Sequence, residues 1–226
     1  MGNTGVRHHR TKLLPEMEGP VARAYARGRN TAPQLAFCRR VAGEITTGLP
    51  DGAAVLEVAP GPGYFAVEMA RLGFAVTGLD VSRTFVGLAR EYARAEGVAV
   101  EFRQGDVAAM PFADGSFDFL ICQAAFKNFA RPVAALDEMH RVLRPGGVAV
   151  VQDMSKEATH AQIEAEVAAM ALGKVAAFTT RQTLGGLRRR AYTPAQFTAT
   201  VAESAFRTCT VITEGMGLEV RLTRAA

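Results

Sequence analysis

The run Val55-Leu-Glu-Val-Ala-Pro-Gly-Pro-Gly63, followed seventeen residues later by Asp80 in Gly-Leu-Asp-Val-Ser, constrains the fold more than any other part of the chain. Val55 to Val58 is a short apolar run that suits a buried parallel strand, and the Pro/Gly cluster after it forces a tight turn. Tyr64 to Leu72 then reads as a helix, with Phe65, Met69 and Leu72 at i, i+4 and i+7 on one packing face. A glycine turn between a strand and a helix lets a ligand approach the backbone closely.

From Ala53 onward strand and helix signals alternate: 53–58, 64–72, 74–79, 82–96 and 98–104. Such alternation implies a parallel sheet covered on both faces. Phe85, Leu88, Ala89 and Tyr92 form the apolar stripe of the fourth of these segments, and Ser82 is its expected N-cap. Phe117 to Cys122 is the next strand, Pro132 to Leu143 a helix stopped by Pro145 and Gly146-Gly147, and Val148 to Val151 a fifth strand.

Two helical segments precede the first strand, the second opened by an expected capping box at Thr31 and Gln34, and Thr193-Pro-Ala-Gln196 opens another helix in the same way. Between Ser155 and Arg190 the order changes: a helix around Ala161 to Leu172 gives way to Phe178, two threonines, Gly185-Gly186 and an arginine run. This is expected to be a lid-like insertion or a dimer face. Thr208 to Thr213 and Leu218 to Thr223 suit an antiparallel hairpin.

At 226 residues the chain is read as one domain, with a tail and helices over 1–50 and the insertion over 155–190. Eight Lys/Arg against Glu16 and Glu18 within residues 1–40 account for the net charge of +4 and leave the remainder near neutral. That argues against nucleic acid as a partner. No apolar stretch reaches the roughly 20 residues that span a bilayer, and the N-terminus is too polar for a signal peptide, so a cytoplasmic protein without membrane insertion is expected. Cys38, Cys122 and Cys209 lack metal or disulfide spacing. His8 and His9 sit in the basic tail, and His140 and His160 stand alone, so no metal site is expected.

Ligands of an open parallel sheet bind at the carboxyl ends of its strands. Gly61 and Gly63, Asp80, Asp106 and the segment Gln123 to Phe126 all fall there. A carboxylate at position 80 can accept two hydrogen bonds from a ribose diol. The spacing alone leaves two readings open, because Gly61-Pro-Gly63-Tyr-Phe-Ala66 also fits the G-x-G-x-x-A fingerprint of NAD-dependent oxidoreductases.

The wider pattern resembles the class I S-adenosylmethionine-dependent methyltransferases of small molecules, similar to those of quinone and natural-product biosynthesis. The resemblance covers residues 53–153. It rests on Leu56-Glu57-Val-Ala-Pro-Gly61-Pro-Gly63, Gly78-Leu-Asp80-Val-Ser82, Gln104-Gly-Asp106 through Phe112, Asp114-Gly-Ser-Phe117-Asp118 and Val142-Leu-Arg-Pro-Gly-Gly147. It implies a three-layer Rossmann-like α/β sandwich with a mostly parallel seven-stranded sheet ending in an antiparallel hairpin.

The resemblance further implies direct displacement of a methyl group from S-adenosyl-L-methionine onto a small-molecule acceptor. A non-catalytic cofactor-binding protein is the alternative to turnover. Glu57 and the turn through Ala59, Gly61 and Gly63 would hold the methionine portion and Asp80 the ribose. Asp106 and the Val107 N–H would read adenine, with Val81 and Phe112 as apolar walls. Tyr25, Tyr64 and Phe126 are candidate aromatic neighbours of the sulfonium, and Gln123 lines the same crevice. Ala59 departs from the usual glycine. Lys127 and Asn128 stand where relatives often carry histidine or an aromatic residue, with Lys127 read either as an acceptor-orienting cation or base or as a solvated loop lysine. Asp153 and His160 are weaker candidates for a base, no catalytic residue is assigned, and a homodimer is an expected assembly.

Overall fold

The structure is a computed structural model and describes residues 17–170 and 172–226. The tail expected over the first fourteen residues, with His8 and His9, lies outside them. Two N-terminal helices, α1 (Gly19–Arg29) and α2 (Ala32–Ile45), precede β1 (Ala54–Val58), α3 (Tyr64–Arg71), β2 (Ala75–Asp80), α4 (Arg83–Ala95) and β3 (Glu101–Gln104). After these come β4 (Phe117–Gln123), a 3-10 turn at Phe126–Asn128, α5 (Pro132–Val142) and β5 (Leu143–Met154). The chain ends with α6 (His160–Ala169), α7 (Lys174–Arg190), α8 (Pro194–Ala202), β6 (Thr210–Glu214) and β7 (Gly217–Thr223).

The seven strands lie in the order β3-β2-β1-β4-β5-β7-β6. Every pair from β3 through β5 is parallel, and β7 runs antiparallel to both β5 and β6. Consecutive parallel strands need a crossover, and a helix covering the sheet supplies it. One core contains Leu56, Leu120, Leu136, Met139, Val151, Phe197 and Leu222. The core on the opposite face joins Val55, Ile121 and Val150 to Phe65, Met69, Ala89 and the α2 residues Val41 and Ile45. Alternate residues of one strand therefore feed two different cores, as the two-residue period of a strand requires. This is the three-layer arrangement expected from the alternating pattern.

The order reverses between β1 and β4: from β1 the chain moves outward through β2 and β3, then returns to β4 on the other side. The crevice above the carboxyl ends of β1, β2 and β4 is the binding position of such a sheet.

Local signals behave unevenly. Ser82 caps α4 as expected, its hydroxyl accepting from the Phe85 N–H at 3.1 Å, and Thr193 with Gln196 forms a full capping box. Only half of the box at α2 forms. Thr31 Oγ1 accepts from the Gln34 N–H, but the Gln34 carbonyl oxygen is taken by Arg29 and its amide nitrogen donates to Cys38 Sγ. Residues 174–190, the second part of the expected insertion, form a seventeen-residue helix. Its inward contacts, Ala177, Leu184 and Leu187, pack against Met154, Ile163 and Val167.

Candidate active site

The turn after β1 is the centre of the crevice. Ala59, Gly61 and Gly63 all adopt positive φ, at +57°, +55° and +81°. At Gly63 a Cβ would stand 2.8 Å from Ala89 Cβ and 2.9 Å from the Phe102 ring, so this glycine serves the packing of α3 against α4 and β3. At Gly61 no atom of the described residues lies within 4 Å of that position, which leaves the backbone open to a ligand. Ala59 holds the same left-handed conformation with a side chain, which costs an L-residue about 1–2 kcal/mol. The substitution of the usual glycine is therefore accommodated by backbone strain, in addition to the methyl group that narrows the turn.

Asp80 ends β2 with its side chain turned back to this turn. One carboxylate oxygen accepts from the Gly61 N–H at 3.0 Å and the other from the Ser82 N–H at 2.9 Å. The residue is 6% exposed. Burial pushes its pKa up to about 6 against the opposing pull of those two hydrogen bonds, and the neighbouring Glu18 charge adds to the rise. Each carboxylate oxygen can accept a second hydrogen bond, so a diol can still be received.

Glu57, one strand over, is buried, and its Oε2 has no hydrogen-bond partner among the described residues. Burial, and then the Asp80 carboxylate, push its pKa up to about 8, with the Ala66 backbone N–H opposing. A buried carboxylate oxygen without a donor is costly, and a cationic or N–H donor from a ligand would relieve that cost.

At the other end of the crevice Asp106 accepts from the Ala108 N–H at 2.9 Å and from Arg131 Nη2 at 2.8 Å. A ligand amino group would share Asp106 with this guanidinium. Val81 is exposed and available as a wall. Val107 and Phe112 are partly buried against the core, and the Arg103 guanidinium lies 5.1 Å over the Phe112 ring.

Several expected residues sit elsewhere. Phe126 is fully buried, packed on Phe129, Tyr192 and Phe197, and so is a core residue without a face toward the crevice. Tyr64 is buried, donating its hydroxyl to the Ala26 carbonyl at 2.9 Å and packing edge-on against Tyr92. Tyr25 packs edge-on against Phe85, which fixes α1 over α4.

Lys127 is neither a solvated loop lysine nor a free cation. It is buried, its Nζ lies 2.7 Å from Asp153 Oδ1, it also donates to the Ala124 carbonyl, and its backbone N–H donates to Asp153 Oδ2 at 3.0 Å. The pair clamps the 3-10 turn to the end of β5. His160, at the start of α6, is exposed, with its Nε2 3.7 Å from Glu164. Among the described residues no cluster of side chains could hold a metal ion.

Some of the site was not visible in sequence motifs. Glu18 accepts from the Arg83 and Thr84 backbone N–H groups at 2.8 and 3.2 Å, while Ser82 Oγ donates to the Met17 carbonyl. The segment before α1 is thereby strapped across the start of α4, beside Asp80. Gln152 and Glu219 continue a polar row from Gln123. These contacts join positions 29 to 67 residues apart, which no local pattern encodes.

The buried acceptor Glu57, the open backbone at Gly61 and the strand-end Asp80 fit a ligand carrying an ammonium group and a ribose. S-adenosylmethionine carries both. Residues 56–151 match the family model described as methyltransferase domain. A demethylmenaquinone methyltransferase of Deinococcus radiodurans is 37% identical over 107 residues, covering 46% of this chain and 44% of the relative. A malonyl-[acyl-carrier protein] O-methyltransferase of Erwinia billingiae is 31% identical over 143 residues, covering 62% and 55%. The chain thus spans about half the length of the curated relatives it matches. A solved S-adenosylmethionine-dependent methyltransferase from Aquifex aeolicus shares the fold at TM-score 0.69 and 18% identity, covering 90% of this chain and 98% of that one. Over its central residues the chain is thus similar to methyltransferases, and its fold is that of a solved S-adenosylmethionine-dependent one.

Proposed function

We propose that this chain, whose central residues match a methyltransferase-domain model, binds S-adenosyl-L-methionine and directs its methyl group onto a small-molecule acceptor. The observation that carries the proposal is the unpartnered Glu57 Oε2, buried at the end of β1 beside the open turn at Gly61. When bound, the cofactor supplies a methyl group made electrophilic by its sulfonium.

The chain's own work is binding and alignment. Glu57 would receive the ammonium, Asp80 the ribose hydroxyls, and Asp106 with the Val107 N–H the base. Methyl transfer by direct displacement requires the acceptor atom in line with the bond that breaks, and orientation of that kind is the main lever an enzyme has on such a reaction. No covalent nucleophile is needed. The clamped 3-10 turn and the ends of β4 and β5 would form one side of the pocket, with the 155–190 insertion, packed on Met154 at the end of β5, as its cover. Three free cysteines fit a reducing, cytoplasmic setting. Among the described residues no helix is long and apolar enough to cross a membrane.

The test is transfer from methyl-labelled cofactor to a panel of phenols, enols, amines and carboxylates. The expected result is label in one acceptor class together with equimolar S-adenosylhomocysteine. Cofactor binding with no transfer to any member contradicts the proposal.

A further inference from the structure

The register places Gln123 of β4 opposite Gln152 of β5, Gln152 opposite Glu219 of β7, and Glu219 opposite Ile212 of β6. Paired residues project to the same face of a sheet, so the four form one row across it. The row starts at the strand beside β1 and runs away from the glycine turn. Its members are half-buried or, for Ile212, exposed.

Hydrogen bonds give the row a direction. Gln152 Nε2 donates to Glu219 Oε2 at 2.8 Å, and Gln123 Nε2 donates to Gln152 Oε1 at 2.8 Å. Arg221 Nε holds the other carboxylate oxygen of Glu219 at 2.7 Å. A carboxylate only accepts, so Gln152 must turn its NH2 toward Glu219 and its oxygen toward Gln123, which must in turn offer its own NH2. Gln123 is the last residue of β4, beside β1 at the strand ends that border the crevice, and its side-chain carbonyl oxygen is not used by the row. It has no partner among the described residues. One carboxylate at the far end therefore decides which atom of the Gln123 amide is left unused, the acceptor and not the donor.

We infer that Gln123 is a specificity-determining residue of the methyl-acceptor pocket: its carbonyl oxygen, locked by the Glu219–Gln152 chain, selects acceptors that present an O–H or N–H donor. Gln152 and Glu219 are positioning residues acting through Gln123. The inference rests on the methyl-transfer reading, which places the acceptor beside the cofactor crevice. Replacing Glu219 by glutamine removes the lock, because Arg221 only donates and so keeps the new amide's oxygen, leaving its NH2 to face Gln152 and reverse the row.

The experiment uses the full chain saturated with S-adenosylhomocysteine and two probes, naphthalene-1,4-diol under anaerobic conditions and 1,4-dimethoxynaphthalene. These differ in having O–H or O–CH3 groups. The wild type is expected to bind the diol at least about tenfold tighter, the discrimination that one hydrogen bond of roughly 1.4 kcal/mol provides. In Glu219→Gln and Gln152→Leu that ratio falls to about twofold or less, while S-adenosylhomocysteine still binds and so reports an intact fold. No binding of the diol, a wild-type ratio near one, or a tenfold ratio surviving in both variants overturns the inference and leaves the methyl-transfer reading standing. Failure of the wild type to bind S-adenosylhomocysteine overturns that reading itself.

Discussion

Ala59 and Glu57 show how much of this site is set residue by residue. Ala59 adopts φ +57°, so Ala59→Gly is expected to raise stability by about 1 kcal/mol, read by urea denaturation; an unchanged or lower midpoint contradicts the strain. Glu57, with its pKa raised from 4.5 to about 8, keeps a proton in the folded state that the unfolded chain releases. Stability of the free protein therefore falls as pH rises from about 4.5 to about 8. Asp80 adds to the same fall between 3.8 and about 6. Glu57→Gln should flatten the upper part of that profile, and an unaltered slope contradicts the assignment. If the ligand's ammonium meets Glu57, binding at pH 7 lowers its pKa and releases protons. The binding heat will then vary with the ionisation enthalpy of the buffer in the wild type and not in Glu57→Gln.

Among the elements, the clearest lesson comes from the 3-10 turn after β4. Its lysine was legible as a residue near the acceptor, but its partner Asp153 lies 26 residues away, and only the parallel pairing of β4 with β5 brings the two together. Breaking a buried pair by removing one member leaves the other charge uncompensated, at a cost of about 3–5 kcal/mol. Asp153→Ala should lose that much stability, whereas the double change Lys127→Met with Asp153→Leu should recover most of it. Equal stabilities for the single and double variants would contradict the clamp. The sequence carries little sign of helix α7, because threonines, Gly185 and Gly186 weaken its propensity and none of its side chains is fully buried. By contrast β1, β2 and β4 were legible because burial on both faces makes each a near-continuous apolar run. The strap at Glu18 was invisible for the reason Asp153 was: its partners are 65 and 66 residues away. Glu18→Ala is expected to speed hydrogen exchange in α1 and the first turn of α4 together, and unchanged exchange in both contradicts the strap.

For the whole molecule, the order β3-β2-β1-β4-β5-β7-β6 turns scattered residues into one crevice. The glycine turn, Asp80 and Asp106 were legible because strand-to-helix turns carry local signals. The row Gln123, Gln152 and Glu219 was not, since it exists only in the register of strands distant in sequence. That the crevice is an S-adenosylmethionine site organised by Asp80 is tested most directly by titration calorimetry with S-adenosylhomocysteine on the wild type and Asp80→Ala. Micromolar binding in the wild type, weakened at least about tenfold in a folded Asp80→Ala, is the predicted result. No binding by the wild type, or equal binding by the two proteins, would contradict it.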